Sequence, residues 1–143
     1  MPEAAGRATT QIMVAGEAEG EVLVLTEPLS FWGGVDETTG AVVDVHHPQH
    51  GTNVAGRILL MPSGRGSSSS SSVLAELIRA GVGPAAILLG ARDPIIALGA
   101  AVAEMLYGHT VPVVILRQDE YIRAADASRV RLLASGELEV TTG

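Results

Sequence analysis

The sequence predicts an α/β protein, and three observations support this fold class. Short apolar runs typical of buried strands recur along the chain, and two stretches with apolar residues at helical spacing separate the later runs. Hydrophobic residues make up 47% of the 143 residues and charged residues 17%, which suits a packed core and not a disordered chain. The length is that of one domain, so we expect a flexible leader over residues 1–10 and a single domain over residues 11–143.

The first half of the chain predicts strands joined by loops. Glycine-rich or polar loops are expected at residues 29–40, which carry the chain's one Phe and one Trp, and at residues 46–51 (HHPQHG). A turn is expected over residues 16–20, and Pro62 ends the last run. Four apolar runs are predicted strands: residues 11–16, 20–26, 41–45 and 57–61.

The second half alternates helices with strands. One helical pattern follows the serine tract at residues 63–72 and ends at Gly81, and the last serines are expected to cap it. A second helix is predicted over residues 94–107, with Pro94 in its first turn. The apolar residues that indicate it are Ile95, Leu98, Val102, Met105 and Leu106. Four more strands are predicted: residues 85–89, 111–116, 130–133 and 137–140.

These elements imply at least two strand–helix–strand crossovers, which should be right-handed. The last two strands are expected to form a hairpin across Ser135 and Gly136. Residues 119–127 give no clear prediction of secondary structure.

The composition excludes several classes of function. A net charge of −7 argues against nucleic acid or an anionic membrane as the main partner. The absence of cysteine excludes disulfides, a thiol nucleophile and an iron–sulfur cluster held by this chain's own thiolates. The absence of lysine excludes Schiff-base chemistry and a P-loop lysine. Because neither a membrane-spanning stretch nor a signal peptide is visible, we expect a cytoplasmic protein.

The segment Ser63-Gly64-Arg65-Gly66-Ser67-Ser68 is the most informative motif. A glycine-rich turn before a helix exposes backbone N–H groups that bind phosphate or carboxylate, and Arg65 adds a forked donor. The segment is neither a Walker loop, which needs a lysine, nor a dinucleotide fingerprint, because the third glycine position is a serine. The alternatives are a capped helix start that binds no ligand, and a flexible serine linker.

Other candidate residues are less specific. The spacing of His46, His47 and His50 lacks the helix and the Glu of a zinc protease motif, so a polar surface loop is favoured and no metal site is predicted. Trp32, beside two glycines, belongs either to a pocket wall or interface or to a hydrophobic plug. No carboxylate pair or catalytic triad can be identified from spacing. The residues alone therefore indicate an α/β domain with an anion-binding loop at residues 64–68.

Two long motifs resemble the small subunit of aconitase X. They are EPLSFWGGVD at residues 27–36 and LMPSGRGSS at residues 60–68, and shorter matches extend the resemblance over roughly residues 12–120. The family consists of hydro-lyases related to aconitase. The resemblance implies a swivelling β/β/α domain, as in the small domain of aconitase.

The resemblance also implies roles for individual residues. Ser67 corresponds to the serine that acts as the proton-transferring base, and Arg65 to a group that binds the substrate carboxylate. The arginine precedes the serines here, whereas in aconitase it follows them. Further substrate-binding candidates are Gly66, Ser68, Trp32 and His47. The iron–sulfur cluster of the family is held by cysteines of a large subunit, so this chain is expected to bind no cofactor itself and to have a cysteine-containing partner.

Two substrates are known in the family. Bacterial members resemble cis-3-hydroxy-L-proline dehydratases, and archaeal members resemble mevalonate 5-phosphate dehydratases. The exclusive use of arginine suggests a GC-rich bacterium, and 16 acidic residues are few for a halophile, so the hydroxyproline substrate is favoured. The alternative from another class is a stand-alone module whose loop binds an anion without chemistry.

Overall fold

A computed structural model of the protein describes residues 11–64 and 69–142. These residues form one seven-stranded mixed sheet in the order β1-β5-β4-β3-β2-β6-β7. The four strands from β2 to β5 are parallel neighbours, whereas β1, β6 and β7 pair antiparallel. The strands are β1 (Gln11–Val14), β2 (Ala18–Val24), β3 (Ile58–Met61), β4 (Ala86–Leu89), β5 (Val113–Ile115), β6 (Arg129–Leu132) and β7 (Leu138–Thr141).

Helices cover both faces of the sheet. They are the single turn α1 (Phe31–Gly34), α2 (Ser69–Arg79), α3 (Pro94–Tyr107) and α4 (Gln118–Ala125). On one face, α2 and α3 pack with Leu59 and Met61 of β3. On the other face, Ile58 and Leu60 of the same strand pack towards α4, β6 and β7. Because neighbouring residues of a strand point to opposite faces, β3 is buried on both sides.

The predicted α/β class and both crossovers are confirmed. The units β3–α2–β4 and β4–α3–β5 join parallel neighbours, and β6 and β7 form the expected hairpin. The serine tract therefore enters a strand–loop–helix unit and does not separate two domains. Helix α2 begins at Ser69, and Ser68, which precedes it at the cap position, lies outside the described residues, so the serine cap stays a prediction. Residues 119–127, which gave no prediction, contain most of α4.

The strand predicted over residues 41–45 is wrong. This segment makes only two isolated bridges, between Val35 and Val42 and between Ala41 and Asn53. Gly40, which has φ of +82°, lies against the Val82 carbonyl, and the chain turns there instead of joining the sheet. Val43 and Val45 are exposed, so the β-branched residues that suggested a strand have no neighbouring strand to pair with.

The turn predicted over residues 16–20 is also wrong in part. Strand β2 already begins at Ala18, and β1 does not pair with it. Instead β1 pairs with β5, and three strands separate β1 from β2 in the sheet. The link between them therefore crosses the end of the sheet and is not a hairpin turn.

Helix α3 has the predicted bounds, but three of the five large apolar residues that indicated it are exposed. The residues that it buries are Ile96, Gly99, Ala100 and Ala103. Leu98 and Leu106 are exposed, and Met105 is 82% exposed. The small residues allow α3 to approach α2 closely, since a Cβ at Gly99 would lie 2.7 Å from the Ser71 carbonyl oxygen. No helix in the described part of the chain is both long and apolar enough to cross a membrane.

Candidate active site

The glycine–serine motif lies between the end of β3 and the start of α2. Of the motif only Ser63 and Gly64 are described, and Ser69 is the first described residue after it, so Arg65, Gly66, Ser67 and Ser68 lie outside the described residues. The motif follows the carboxyl end of a central parallel strand, which is where ligands bind in open α/β sheets. The position of the motif in the fold is thus the one that a ligand-binding loop requires.

The segment at residues 29–32 contacts both ends of this motif. On one side Leu29 forms a parallel bridge with Gly64. On the other side the Trp32 N–H donates to the hydroxyl of Ser70, the second residue of α2, over 3.2 Å. The first residues of the loop predicted at residues 29–40 therefore contact the chain on both sides of residues 65–68.

Trp32 itself is 60% exposed, although it is the largest side chain near the motif. Its neighbour Phe31 is buried in the core and anchors the turn α1. Gly33 has φ of +80°, and nothing lies within 4 Å of the position of its absent Cβ. The chain thus reverses directly after Trp32 on a residue that tolerates the left-handed conformation. The indole is left on the surface beside the motif.

Asp93 approaches the motif from α3. Its Oδ1 caps α3 by accepting from the N–H groups of Ile95 and Ile96, over 3.0 and 3.1 Å. A Cβ at Gly64 would overlap Asp93 Oδ2 and would lie 2.7 Å from Cδ1 of Ile96. Position 64 therefore has room only for glycine, and a carboxylate oxygen lies against the backbone where the motif begins.

His47 is buried and both of its ring nitrogens bind the chain's own backbone. Its Nε2–H donates to the Glu27 carbonyl over 3.0 Å, and its Nδ1 accepts from the Gln49 N–H over 3.0 Å. The Gln49 side chain in turn accepts from the Thr26 N–H over 2.9 Å. These contacts hold residues 46–51 against Thr26 and Glu27, which come just before the Trp32 segment. His46 and His50 are exposed on the same loop.

Two further aspartates hold turns. The Asp36 carboxylate accepts from the hydroxyl and the N–H of Thr38, and these bonds lower the pKa of Asp36. The Asp44 carboxylate accepts from the His46 N–H over 2.9 Å.

A shallow pocket of about 370 Å³ opens at the carboxyl ends of β3, β4 and β5. Tyr121 of α4 lines it, and burial raises the pKa of its hydroxyl. The remaining lining residues are Pro62, Gly90, Leu116, Gln118 and Ile122. Among the residues that the structure describes, none of those lining this pocket is an arginine.

This chain does not fit an iron–sulfur cluster. It has no cysteine, and the described residues contain no group of three His, Asp or Glu side chains that could hold a metal ion. His47, the most buried histidine of the described part, has no free ring nitrogen. A cluster used by this protein must therefore take its ligands from other polypeptide.

Sequence reasoning missed three residues at this site. Ser30 and Ser70 bond to each other and to Trp32, but Ser70 stands in a run of six serines that a sequence cannot tell apart. Asp93 could have been recognised as a helix cap, because an aspartate followed by proline is typical of a helix start. Its approach to Gly64 could not have been foreseen, since it depends on how α3 packs.

The fold and the loop together define a class: an α/β domain whose glycine–serine loop leads from a central parallel strand into a helix. The chain belongs to the aconitase X swivel-domain family, whose family model matches residues 7–140.

Two groups of enzymes contain similar sequences. The cis-3-hydroxy-L-proline dehydratase of Pseudomonas aeruginosa is 51% identical over 130 residues, which are 90% of this chain and 22% of that protein. The phosphomevalonate dehydratase small subunit of Thermococcus kodakarensis is 40% identical over 126 residues, which are 87% of this chain and 95% of that protein. The chain thus spans about a fifth of the first relative and nearly all of the second.

Solved structures share the fold. A crystal structure of Thermococcus kodakaraensis aconitase X in its holo form matches with a TM-score of 0.79 and 35% identity, over 92% of this chain and 95% of that one. The solution NMR structure of a UPF0107 protein matches with a TM-score of 0.78 and 39% identity, over 93% and 97% of the two chains. The expected swivelling-domain fold of aconitase X is confirmed.

Proposed function

We propose that this chain is the small subunit of an aconitase X type dehydratase whose substrate is cis-3-hydroxy-L-proline. The observation that carries the proposal is the 51% identity to the Pseudomonas enzyme over 130 residues. A second cis-3-hydroxy-L-proline dehydratase, from Hypocrea jecorina, is 45% identical over 108 residues. The phosphomevalonate dehydratase small subunits of Methanothermobacter thermautotrophicus and Thermococcus kodakarensis are 46% and 40% identical, both below the Pseudomonas enzyme.

The proposal includes a partner. Relatives of nearly the same length are named small subunits. In the longer relatives, about four-fifths of the chain lies outside the region that matches this protein. Because this chain has no cysteine, we assign the iron–sulfur cluster to a cysteine-containing large subunit, with which it forms a heterodimer. Location in the cytoplasm stays a prediction from the sequence.

In this reaction the substrate loses one water molecule. A proton leaves the carbon next to the carboxylate, the electrons of that C–H bond form a C=C bond, and the hydroxyl leaves the neighbouring carbon. We assign the removal of the proton to the Ser67 hydroxyl oxygen. The motif precedes α2, whose first N–H groups carry partial positive charge and favour an anion nearby. This field would stabilise the Ser67 alkoxide, so that more of the hydroxyl is in the form that can take up the proton.

The other residues of the motif would bind the substrate. Arg65 is the group best suited to a planar carboxylate, because its guanidinium donates two parallel hydrogen bonds. Gly66 and Ser68 would offer backbone N–H groups and a hydroxyl around it. The exposed Trp32 indole beside the motif supports its assignment as a wall of the site. For His47, whose nitrogens bind Glu27 and Gln49, the contacts favour a role in holding the loop.

The test is turnover by the chain co-expressed anaerobically with the large subunit of the same organism. We expect dehydration of cis-3-hydroxy-L-proline, and a fall in kcat of about 10²–10⁴-fold in Ser67→Ala, the usual contribution of a positioned base. Ser72→Ala, an exposed serine of the same tract, is the matched control and should keep its activity. Near-normal turnover by a Ser67→Ala enzyme with an intact cluster would place the base elsewhere.

Mevalonate 5-phosphate is measured in parallel. Activity on this compound alone would keep the subunit assignment and overturn the substrate. The stand-alone anion-binding module makes a different prediction: the isolated chain would bind phosphate or a carboxylate, and Arg65→Ala would abolish that binding. Such binding, in a chain that forms no active complex with the large subunit, would favour the module.

A further inference from the structure

Three hydrogen bonds join Ser30, Trp32 and Ser70 in a closed ring. The Trp32 N–H donates to Ser70 Oγ over 3.2 Å, and Ser30 Oγ donates to the Trp32 carbonyl over 3.0 Å. The two hydroxyl oxygens lie 3.3 Å apart. A hydroxyl has one proton, and that of Ser30 is used by Trp32, so Ser70 must be the donor between the two serines. Every donor in the ring then has one acceptor.

The ring fixes the backbone of Trp32 while leaving its side chain outside. Both the N–H and the C=O of Trp32 are bound, yet the indole is 60% exposed. Ser70 is only 3% exposed, so its hydroxyl is not accessible to a substrate. The backbone of Trp32 is therefore fixed while most of its indole is exposed. Such an aromatic side chain is suited to contacting a molecule other than its own chain.

The hydroxyl of Ser70 accepts from a residue outside its own helix. Serines near the start of a helix ordinarily accept from the free N–H groups of the first turn. Ser70 accepts instead from Trp32, which lies 38 residues earlier in the chain. The bond therefore ties the Trp32 segment to the first turn of α2, which directly follows the motif at residues 65–68.

We propose that Ser30 and Ser70 are positioning residues that hold the exposed Trp32 next to the first turn of α2, where its indole forms one wall of the substrate site. This inference rests on the proposed function for the identity of the substrate, but not for the ring itself. Neither serine touches the substrate. Their effect reaches it through Trp32, so their loss should loosen substrate binding and leave proton removal by Ser67 largely intact.

The first measurement needs no activity. Trp32 is the chain's one tryptophan, so its fluorescence reports on this position alone. In the full chain we expect Ser70→Ala and Ser30→Ala to lower the fluorescence anisotropy of Trp32 and to raise its quenching by acrylamide. Ser72→Ala is the matched control, because Ser72 is exposed on the same helix, and it should change neither. Unchanged anisotropy in both ring variants would overturn the inference.

The second measurement separates binding from chemistry in the complex with the large subunit. We expect Ser70→Ala and Ser30→Ala each to raise KM about two- to tenfold, the loss of one ordinary hydrogen bond, with a smaller change in kcat. The double variant should add little, because the ring opens when either serine is lost. A fall in kcat at constant KM would contradict the positioning role.

The two readouts also separate the two proposals. A wild-type complex without dehydratase activity would refute the proposed function, and the fluorescence of Trp32 would still decide whether the ring exists. If Ser70→Ala does not fold, Ser30→Ala opens the same ring from the loop side, where no helix packing is disturbed. An active wild type with unchanged Trp32 fluorescence in the variants would refute the ring alone.

Discussion

Ser70 and His47 are 3% and 5% exposed, and the polar atoms of both residues are occupied by the chain itself. Asp36, Asp44 and Asp93 likewise hold turns or a helix cap. Residue types that suggest chemistry in a sequence are thus used here to hold turns, a loop and a helix start. Trp32, in contrast, keeps most of its side chain exposed.

A prediction for His47 distinguishes a residue that holds the loop from one that binds substrate. His47→Ala leaves the Glu27 carbonyl and the Gln49 N–H without their partner. We expect the free energy of unfolding to fall by about 1–3 kcal/mol, the cost of unsatisfied buried groups. Urea denaturation of the full chain measures this loss. Exposed His50 provides the control, and His50→Ala should change stability by less than about 0.5 kcal/mol.

The opposite result would assign His47 to the substrate. If His47→Ala kept its stability but raised KM in the complex, the ring nitrogens would have to exchange their internal partners for a ligand. The substrate-binding role predicted for His47 from the family resemblance would then hold.

At the level of helices and strands, α3 shows that the apolar residues that indicate a helix in the sequence need not be the residues that pack in the core. The spacing of its large side chains predicts a helix over residues 94–107, and the helix has these bounds. The face that packs, however, is built from Gly99, Ala100 and Ala103. Small residues allow close approach of α2, and the depth of this contact decides which face is buried.

Because α2 and α3 are in close contact, we expect one methyl group added at Gly99 to affect the stability of the protein. In Gly99→Ala the new Cβ would lie 2.7 Å from the Ser71 carbonyl oxygen and 3.2 Å from Cβ of Leu74. Alanine favours a helix by about 1 kcal/mol over glycine, but the overlap with backbone should cost about 1–3 kcal/mol. We therefore expect a lower or, at best, unchanged thermal midpoint in scanning calorimetry.

The control for this prediction is Leu98→Ala on the exposed side of the same helix. It should change the midpoint little, because the side chain is not part of the packed face. A clearly higher midpoint in Gly99→Ala would show that the two helices can separate at no cost, and would contradict the close contact.

At the scale of the whole molecule, one sheet is covered on both faces. Leu59 and Leu60 are adjacent in β3 and belong to two different core clusters, and both are fully buried. The parallel centre of the sheet is therefore inaccessible from either side, and the motif follows a strand that is fully buried on both faces.

Two neighbouring substitutions test this layering. Leu59→Ala and Leu60→Ala should each lower the free energy of unfolding by about 2–5 kcal/mol, because each leaves a cavity in one of the two cores. Val45→Ala, on an exposed loop, should cost less than about 0.5 kcal/mol. Urea denaturation measures all three. A large loss at only one of the two leucines would mean that one face of β3 is not packed.

The class of fold, the two crossovers and the bounds of α3 could be predicted from the sequence alone. Runs such as AAILL and caps such as Asp93 before Pro94 depend on neighbours in the chain, and such local signals are visible in a sequence. The motif at residues 63–68 and the family could also be recognised from the sequence, because a long sequence motif is far more specific than a hydrophobic periodicity. The roles of Ser67 and Arg65, and the single domain over residues 11–143, stay predictions.

The folded structure was needed to show that residues 41–45 form no strand, that β1 pairs with β5, and that Ser70 is the serine that contacts Trp32. Each of these depends on which surfaces meet across the sheet, and one sequence contains no record of contacts between distant residues. Ser70 has the same neighbours in sequence as Ser71, but the packing of residues 29–32 against the start of α2 gives it a partner 38 residues away. The physical reason is that burial and hydrogen bonding are satisfied by the folded chain as a whole.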